Sequence, residues 1–396
     1  MLNGWPRVAV IGGSIGGLTA ALVLRDLGCE VEIFERSTTT LQDRGAGIGL
    51  HPMTIRYFTR HGTFEEAKIA LTLPWVRFLT RDGRTEYEEK MNYQFSSWTA
   101  IYRTLLKHFG EDRYRLGREV TGFVQDDEGV SIEFASAPPV RVEMLVCADG
   151  ISSTARAILQ PKATPRYAGY VAWRGTVPES VLSKETFEDL RDAITYFLTP
   201  SGHILVYPIP GPDGELAPGQ RLINFVWYHN YAEGPEVDDL MTDRDGQLRS
   251  VSLPPGSVRS EYVHWMRTYA ESHMPPPIAE VVVKVDKPFI QAIFDIEVER
   301  MAFGRIGLIG DGAFAIRPHA AAGTAKACAD AWTLQESLRD SGGDVVEALR
   351  LWEPGQLALG RQLLERTRAM GDGSQFHHNW VPGDPALRFG LYGPGE

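Results

Sequence analysis

The sequence predicts an α/β chain: a parallel-sheet domain interrupted by an antiparallel sheet and closed by C-terminal helices. Three observations predict it. A strand–helix–strand pattern around a glycine-rich turn occupies residues 7–35. Two later segments, VEMLVCADG and RIGLIGDG, read as buried strands ending in Asp-Gly and Gly-Asp. Between them, residues 165–295 turn into short Tyr-, Trp-, Val- and Ile-rich runs separated by Pro/Gly loops. That is the alternation of a sheet inserted into an α/β frame.

The elements follow in order. Arg7–Ile11 is a short buried strand. Ile15–Leu27 reads as a helix with Leu18, Ala21, Leu22 and Leu24 on its apolar face, and Gly28 stops it. Val31, Ile33 and Phe34 form the second strand, ending at Glu35. Residues 42–51, QDRGAGIGLH, read as a glycine-rich loop, and residues 98–109 as a helix. Short strands fill 115–148. The inserted sheet is expected from YVAWRGTV, ITYFLT, HILVYPIP, LINFVWYHNY and AEVVVKV. Helices are expected near 322–339 and 345–369, then an extended tail over 371–396. The expected division is 1–165 and 299–370 for the two parts of the parallel-sheet domain, with 166–298 as the insertion.

Composition removes several function classes. With 43 % apolar and 23 % charged residues over 396 positions, the chain is an ordinary globular protein, neither disordered nor collagen-like. Its net charge of −11 argues against nucleic-acid or anionic-membrane binding. The three scattered cysteines form no CxxC pair and no disulfide framework. The uncharged run at 8–24 has four glycines in its first ten residues and ends at Arg25-Asp26, where a signal peptide wants a glycine-poor apolar stretch and a small-residue cleavage site. A soluble, cytoplasmic protein is expected.

The turn Gly12-Gly13-Ser14-Ile15-Gly16-Gly17 matches G-x-G-x-x-G at its outer glycines, with Ser14 at the middle one. Gly12 serves the tight turn, position 14 the approach of a pyrophosphate, and Gly17 the packing of helix on strand. The free N–H groups of the helix start favour an anion. Glu35 stands where a carboxylate binds adenosine ribose, eighteen residues after Gly17. The frame is therefore Rossmann-like. This turn alone does not separate NAD from FAD.

The turn, CADGISSTAR (147–156) and LIGDGAFAIRPHAAAGTAKACADA (308–331) resemble, in this order, the FAD-dependent aromatic hydroxylases of the para-hydroxybenzoate hydroxylase type. The resemblance covers about 370 residues and implies a Rossmann-like FAD-binding domain with an inserted substrate sheet. It further places Tyr102-Arg103 where the family keeps a flavin-contacting arginine. By resemblance, Glu35 and Arg36 lie by the adenosine half, and Arg103 reaches the ribityl–phosphate region. Asp149 belongs to a motif linked to FAD and the nicotinamide, and Asp311 bonds the ribityl chain. Pro318 lies by the flavin ring, and backbone N–H groups from Ala321, Ala322, Gly323 and Thr324 face its N1–C2=O edge, where reduced flavin is anionic. Gly12, Ser14, Ile15, Gly17 and Gly45 complete the expected cofactor contacts. Departures are Phe314 where many relatives have histidine, and Ala320 and Ala325 where many have glycine and asparagine. No second G-x-G-x-x-G exists for NADH or NADPH, as in the family.

The implied reaction is NAD(P)H-dependent hydroxylation by O₂ of a small aromatic or N-heteroaromatic ring through a flavin C4a-hydroperoxide. By a closer resemblance within the family, carried by GGSIGGLTAALVLRD, FVWYHNY, DDLMTDRDG and RPHAAAGTAKA, the implied substrate is a 2,6-dihydroxypyridine-like ring. A larger phenolic substrate, a flavin oxidase and a non-catalytic flavin-binding partner are the alternatives. A homodimer is compatible with the resemblance. A base near the ring hydroxyl assists hydroxylation. The candidates are His51, His319, Tyr207 and Tyr228, each with an alternative reading as loop or sheet packing. Arg174, in YVAWRG, is explained by a salt bridge as well as by substrate. His229 reads as structural, and no metal-ligand spacing appears.

Overall fold

The computed structural model describes residues 4–41, 47–64 and 69–396. Its first sheet has the order Ala302–Phe303, Ile306–Leu308, Met144–Cys147, Arg7–Ile11, Glu30–Phe34, Tyr114–Arg115. The strands pair in parallel, apart from the antiparallel edge hairpin of 302–308. Val8, Ala9, Val10 and Ile11 are all buried, as in a strand covered on both faces. The helix Ile15–Leu27 packs against the helix Gly323–Asp340. Gly28 ends the first helix in the left-handed conformation, at φ +110.

The second sheet has nine strands. Their order is Ser252–Leu253, Phe289–Asp295, Arg166–Pro178, Leu222–Asn230, Gly202–Ile209, Ala193–Thr199, Leu71–Leu79, Thr85–Ser97, Gly47–Leu50. It thus draws three strands from 47–97, ahead of the expected insertion. Pairing is antiparallel except between Ala193–Thr199 and Leu71–Leu79. One face buries Val171, Trp173, Phe225 and Trp227 in a core that includes Met266 and Ala270 of the helix Ser260–His273. The other face carries Tyr170, Ala172, Tyr207 and Tyr228. A third sheet, of three short strands, spans Val120–Val142.

Three local expectations are corrected. AEVVVKV is not a strand: Pro276–Lys284 is a helix. Ile278, Val281, Val282 and Val285 are buried at i, i+3, i+4, i+7, a helical period hidden inside a β-branched run. Pro276 and Pro277 sit in its first turn, where their missing N–H groups cost nothing. Within the glycine-rich loop, Gly47–Leu50 forms an edge strand on Gln94–Ser97. The tail is not extended. The last long helix, Val345–Asp372, runs into a wide turn at Gly373–His377, and Phe389 and Leu391 are buried.

Candidate active site

Two neighbouring cavities lie where the parallel domain meets the nine-stranded sheet, and Trp98 and Gln291 line both. The outer cavity, about 400 Å³, is lined by Gly12, Ser14, Glu35, Arg36 and Asp149 among others. Its turn tolerates no side chain at the two outer glycines. A Cβ on Gly12 would stand 2.3 Å from the Ala148 carbonyl oxygen, and one on Gly17 would stand 1.9 Å from that of Gly12. Ser14 occupies the N-cap position, yet its hydroxyl makes no capping bond. The buried Glu35 carboxylate accepts from the Gly13 and Ser37 N–H groups, each at 2.9 Å. Ionised, it keeps acceptor sites for two further donors.

Asp149 accepts from Ser153 Oγ at 2.6 Å and from the Ala155 N–H at 3.0 Å. Ser153 Oγ in turn caps the next helix through the Arg156 N–H at 2.8 Å. The buried Arg156 guanidinium donates to the Gly312 carbonyl at 3.1 Å, tying the Asp-Gly turn to the Gly-Asp turn.

The inner cavity holds about 330 Å³. On one side stand Asp311, Pro318, Ala321, Gly323 and Thr324. The turn at 318–321 closes through the Ala321 N–H on the Pro318 carbonyl at 3.0 Å. Ala321 holds φ +53, a conformation that costs a residue with a Cβ about 1 kcal/mol. The helix Gly323–Asp340 starts just after it, so its partial positive end meets the cavity. Below that start, Lys326 and Asp330 form a fully buried pair at 2.7 Å, and Asp330 also takes the Gly310 N–H at 2.8 Å. Burial raises the Asp311 carboxyl pKa; Lys326 pulls it down and Asp330 adds to the rise.

On the other side, strand alternation places Ala172 and Arg174, His203, Leu205 and Tyr207, and Val226 and Tyr228 on one face. Among the described residues, Arg174 is the one Lys or Arg in the lining, and its hydrogen-bond partners are an amide and a carbonyl rather than a carboxylate. It donates to Gln291 Oε1 and to the Gly47 carbonyl, both at 2.9 Å. The salt-bridge reading of Arg174 therefore falls. Burial pushes the Tyr207 hydroxyl up to about 12 against the pull of Arg174, and burial also raises that of Tyr228. Both stay protonated donors at neutral pH.

The histidines come out differently from expectation. His319 lines the cavity, but its Nε2 is engaged with Tyr170 Oη at 2.7 Å and its Nδ1 is buried without a partner. Burial, aided by Arg317, lowers its pKa to about 3, so it is a poor base at neutral pH. His51 is buried against the backbone of Ala320 and Ala321 and lines neither cavity. It supports the turn from outside. His229 lies on the opposite face among Trp227, Trp265 and Tyr269. His203, not singled out from the sequence, lines the cavity with Nδ1 on Ser374 Oγ at 2.5 Å and its ring stacked on Trp380. Its signal was parity: it stands two and four positions before Leu205 and Tyr207.

Of the other expected cofactor residues, Ile15, Gly17 and Ala322 are buried and line neither cavity. Arg103 is exposed, reaches the Pro212 carbonyl at 3.4 Å, and also lines neither. Gly45 lies outside the described residues.

A family model described as FAD binding domain-like matches residues 167–295, and one described as pyridine nucleotide-disulphide oxidoreductase matches residues 7–50. Along 388 residues the chain is 37 % identical to 2,6-dihydroxypyridine 3-monooxygenase of Paenarthrobacter nicotinovorans, covering 97 % of this chain and 96 % of the relative. The chain belongs to the FAD-dependent aromatic hydroxylases. The solved structure of 2,6-dihydroxypyridine-3-hydroxylase from Arthrobacter nicotinovorans superposes on this hydroxylase with a TM-score of 0.91 at 35 % identity, covering 97 % and 96 % of the two chains. A 3-amino-4-hydroxybenzoate 2-monooxygenase of Streptomyces platensis is 29 % identical, covering 98 % of this chain and 91 % of that one.

This hydroxylase is an FAD-dependent monooxygenase of aromatic compounds. Its residues fit the cofactor. The close approach at Gly12, the free acceptor sites of Glu35 and the helix start at Gly323 suit a diphosphate, a ribose and an anionic ring edge in turn. Among the described residues no helix is long and apolar enough to cross a membrane, and no cluster could hold a metal ion.

Proposed function

We propose that the chain hydroxylates a single hydroxylated aromatic or N-heteroaromatic ring of the 2,6-dihydroxypyridine kind, with NADH or NADPH and O₂ as co-substrates. The observation that carries the reading is the unpaired Arg174 cation beside the Tyr207 and Tyr228 hydroxyls, facing the turn at 318–324. The 37 % identical relative named for this substrate supports it. One oxygen atom of O₂ replaces a ring hydrogen as hydroxyl, and the other leaves as water with two electrons from the nicotinamide.

Bound FAD supplies the redox chemistry: it takes electrons from the nicotinamide and activates O₂. The remaining work falls to this chain's residues. Arg174 and the two tyrosines attract a ring oxygen in its ionised form, which makes the ring electron-rich. That replaces the histidine base: the ring's own acidity is used, with the anion held by a fixed cation. Asp311 and Glu35 would hold the ribityl and ribose hydroxyls, and Ser14 the diphosphate. Arg36, in the lining of the outer cavity, would lie by the adenosine half, and Asp149 fixes the turn beside it.

The cavity is at the small end of ligand sites, which run from about 300 to 1,000 Å³. It must take the reactive edge of the cofactor as well as the substrate, which favours one ring over a larger phenolic. The test is NADH and NADPH oxidation by the yellow protein with and without 2,6-dihydroxypyridine, under ¹⁸O₂. Stimulated oxidation with one labelled oxygen in the product is expected. Oxidation that yields only hydrogen peroxide would favour the oxidase reading.

A further inference from the structure

One wall of the inner cavity comes from the C-terminal segment. Trp380 stacks on His203 with ring centroids 4.2 Å apart. Phe389 packs on Tyr93 at 4.8 Å and edge-on to Phe95 at 6.2 Å. Beyond these rings lies a smaller groove of about 40 Å³, with Val76, Phe78, Tyr87 and Met91 on its apolar walls. The cavity and the groove share three residues: Tyr196, Trp380 and Phe389. The exposed Asp384 also lines the groove, so the groove opens to the surface.

A core aromatic is packed on all sides. Trp380 and Phe389 instead have empty space on two sides, so they act as a partition. The strap that carries them is anchored at both ends. Trp380 Nε1 donates to the Met370 carbonyl at 2.8 Å. The Phe389 N–H donates to Tyr93 Oη at 3.1 Å, and Arg388 pairs with Glu89 at 2.6 Å. Between the anchors, Asp384 bonds within the strap, to Val381, Ala386 and Leu387, and Val381 is 60 % exposed. Gly383 lies directly on the Tyr87 ring, which a Cβ would meet at 2.6 Å.

We propose that Trp380 and Phe389 are the substrate gate: they limit the cavity to one ring, and the groove they close off is the route by which that ring enters. The inference rests on the inner cavity being the substrate site. It goes beyond the choice of substrate, because it concerns size and path rather than ring chemistry.

The test uses the FAD-loaded protein and a series of one-ring and two-ring hydroxyarenes, hydroxypyridines and hydroxyquinolines included. Binding is read from the change each causes in the flavin absorbance. The wild type is expected to bind one-ring members only. Trp380→Ala and Phe389→Ala are expected to gain two-ring members, with at least tenfold tighter binding than the wild type shows. Trp380→Phe serves if the alanine variant does not hold its flavin. Glu89→Gln, a change of one atom in a half-buried side chain at the groove wall, loosens one anchor. It is expected to raise the association and dissociation rates of a one-ring ligand together, several-fold, with little change in Kd. An unchanged size limit in every cavity variant that keeps its flavin would overturn the size role. Unchanged rates in Glu89→Gln would overturn the entry route. Failure of 2,6-dihydroxypyridine alone to bind would remove the proposed substrate and leave the size comparison standing on the rest of the series.

Discussion

Arg174 Nη1 donates to Gln291 Oε1 at 2.9 Å across two adjacent strands, and no carboxylate among the described residues answers its charge. The amide fixes the guanidinium plane without neutralising it. A cation held this way in a cavity wall is available to an anionic ligand.

Removing that cation is the sharpest test of the substrate site. Arg174→Met keeps the length of the stem and loses a charge-assisted bond, worth about 1.5–3 kcal/mol. The expected result is a 10- to 100-fold drop in kcat/KM, with the loss growing for rings that ionise more readily. Steady-state kinetics on a series of ring acidities checks it. A uniform loss across the series would mean that Arg174 only shapes the wall.

Glu35 holds two backbone N–H groups in the ground plan of the nucleotide turn. Glu35→Ala leaves those donors without a partner and removes the ribose acceptor. FAD affinity is expected to fall at least tenfold, by the same charge-assisted increment of about 1.5–3 kcal/mol. Fluorescence titration of apoprotein with FAD measures it, and circular dichroism shows whether the fold survives.

Acid stability follows from the buried histidines. Burial holds His319 at about 3, His229 at about 4 and His203 well below its usual value. Each is neutral in the fold and takes up a proton on unfolding below its ordinary pKa of about 6.5. Above that pH they have no effect. Below it the unfolded state binds more protons, so stability falls by about 1.4 kcal/mol per pH unit for each. Urea midpoints are therefore expected to be flat from pH 8 to 7 and to drop steeply from pH 6 to 5. His319→Gln is expected to shallow that drop by roughly a third.

The buried pair Lys326–Asp330 predicts a strongly non-additive double mutant. Lys326→Met strands a buried carboxylate and is expected to cost about 3–5 kcal/mol. Adding Asp330→Asn removes the stranded charge and keeps an acceptor for the Gly310 N–H, so the double variant is expected to be more stable than Lys326→Met alone. Denaturant unfolding of the three proteins decides it.

Much of the frame was legible because its signals are local. A glycine that meets a neighbouring carbonyl at 1.9 Å, as Gly17 would with a Cβ, leaves its mark at one fixed position. The substrate side was legible only in part. Tyr207 and Tyr228 stood out as residue types, whereas His203 needed strand parity to be placed beside them. His51 and His319 look alike on the page of the sequence, but a turn at Ala321 sends one behind the wall and keeps the other in it. The valines of 281–285 misled because β-branched residues mask a helical period when their partners are not visible. The strap could not be read at all, since its fold depends on aromatic contacts with strands almost three hundred positions away, as between Phe389 and Tyr93.

The pairing of Leu145 with Ile306 has a consequence for biosynthesis. Four of the six strands of that sheet are complete once residue 147 has been made, but Ala302–Phe303, Ile306–Leu308 and the Gly-Asp turn arrive only after the whole inserted sheet. Arg156 likewise waits for the Gly312 carbonyl. A nascent chain therefore carries an unfinished nucleotide domain with one open sheet edge while the insertion folds beside it. The cofactor cannot be gripped by both turns until the last quarter of the polypeptide has begun to leave the ribosome, so loading with FAD is a late event of synthesis.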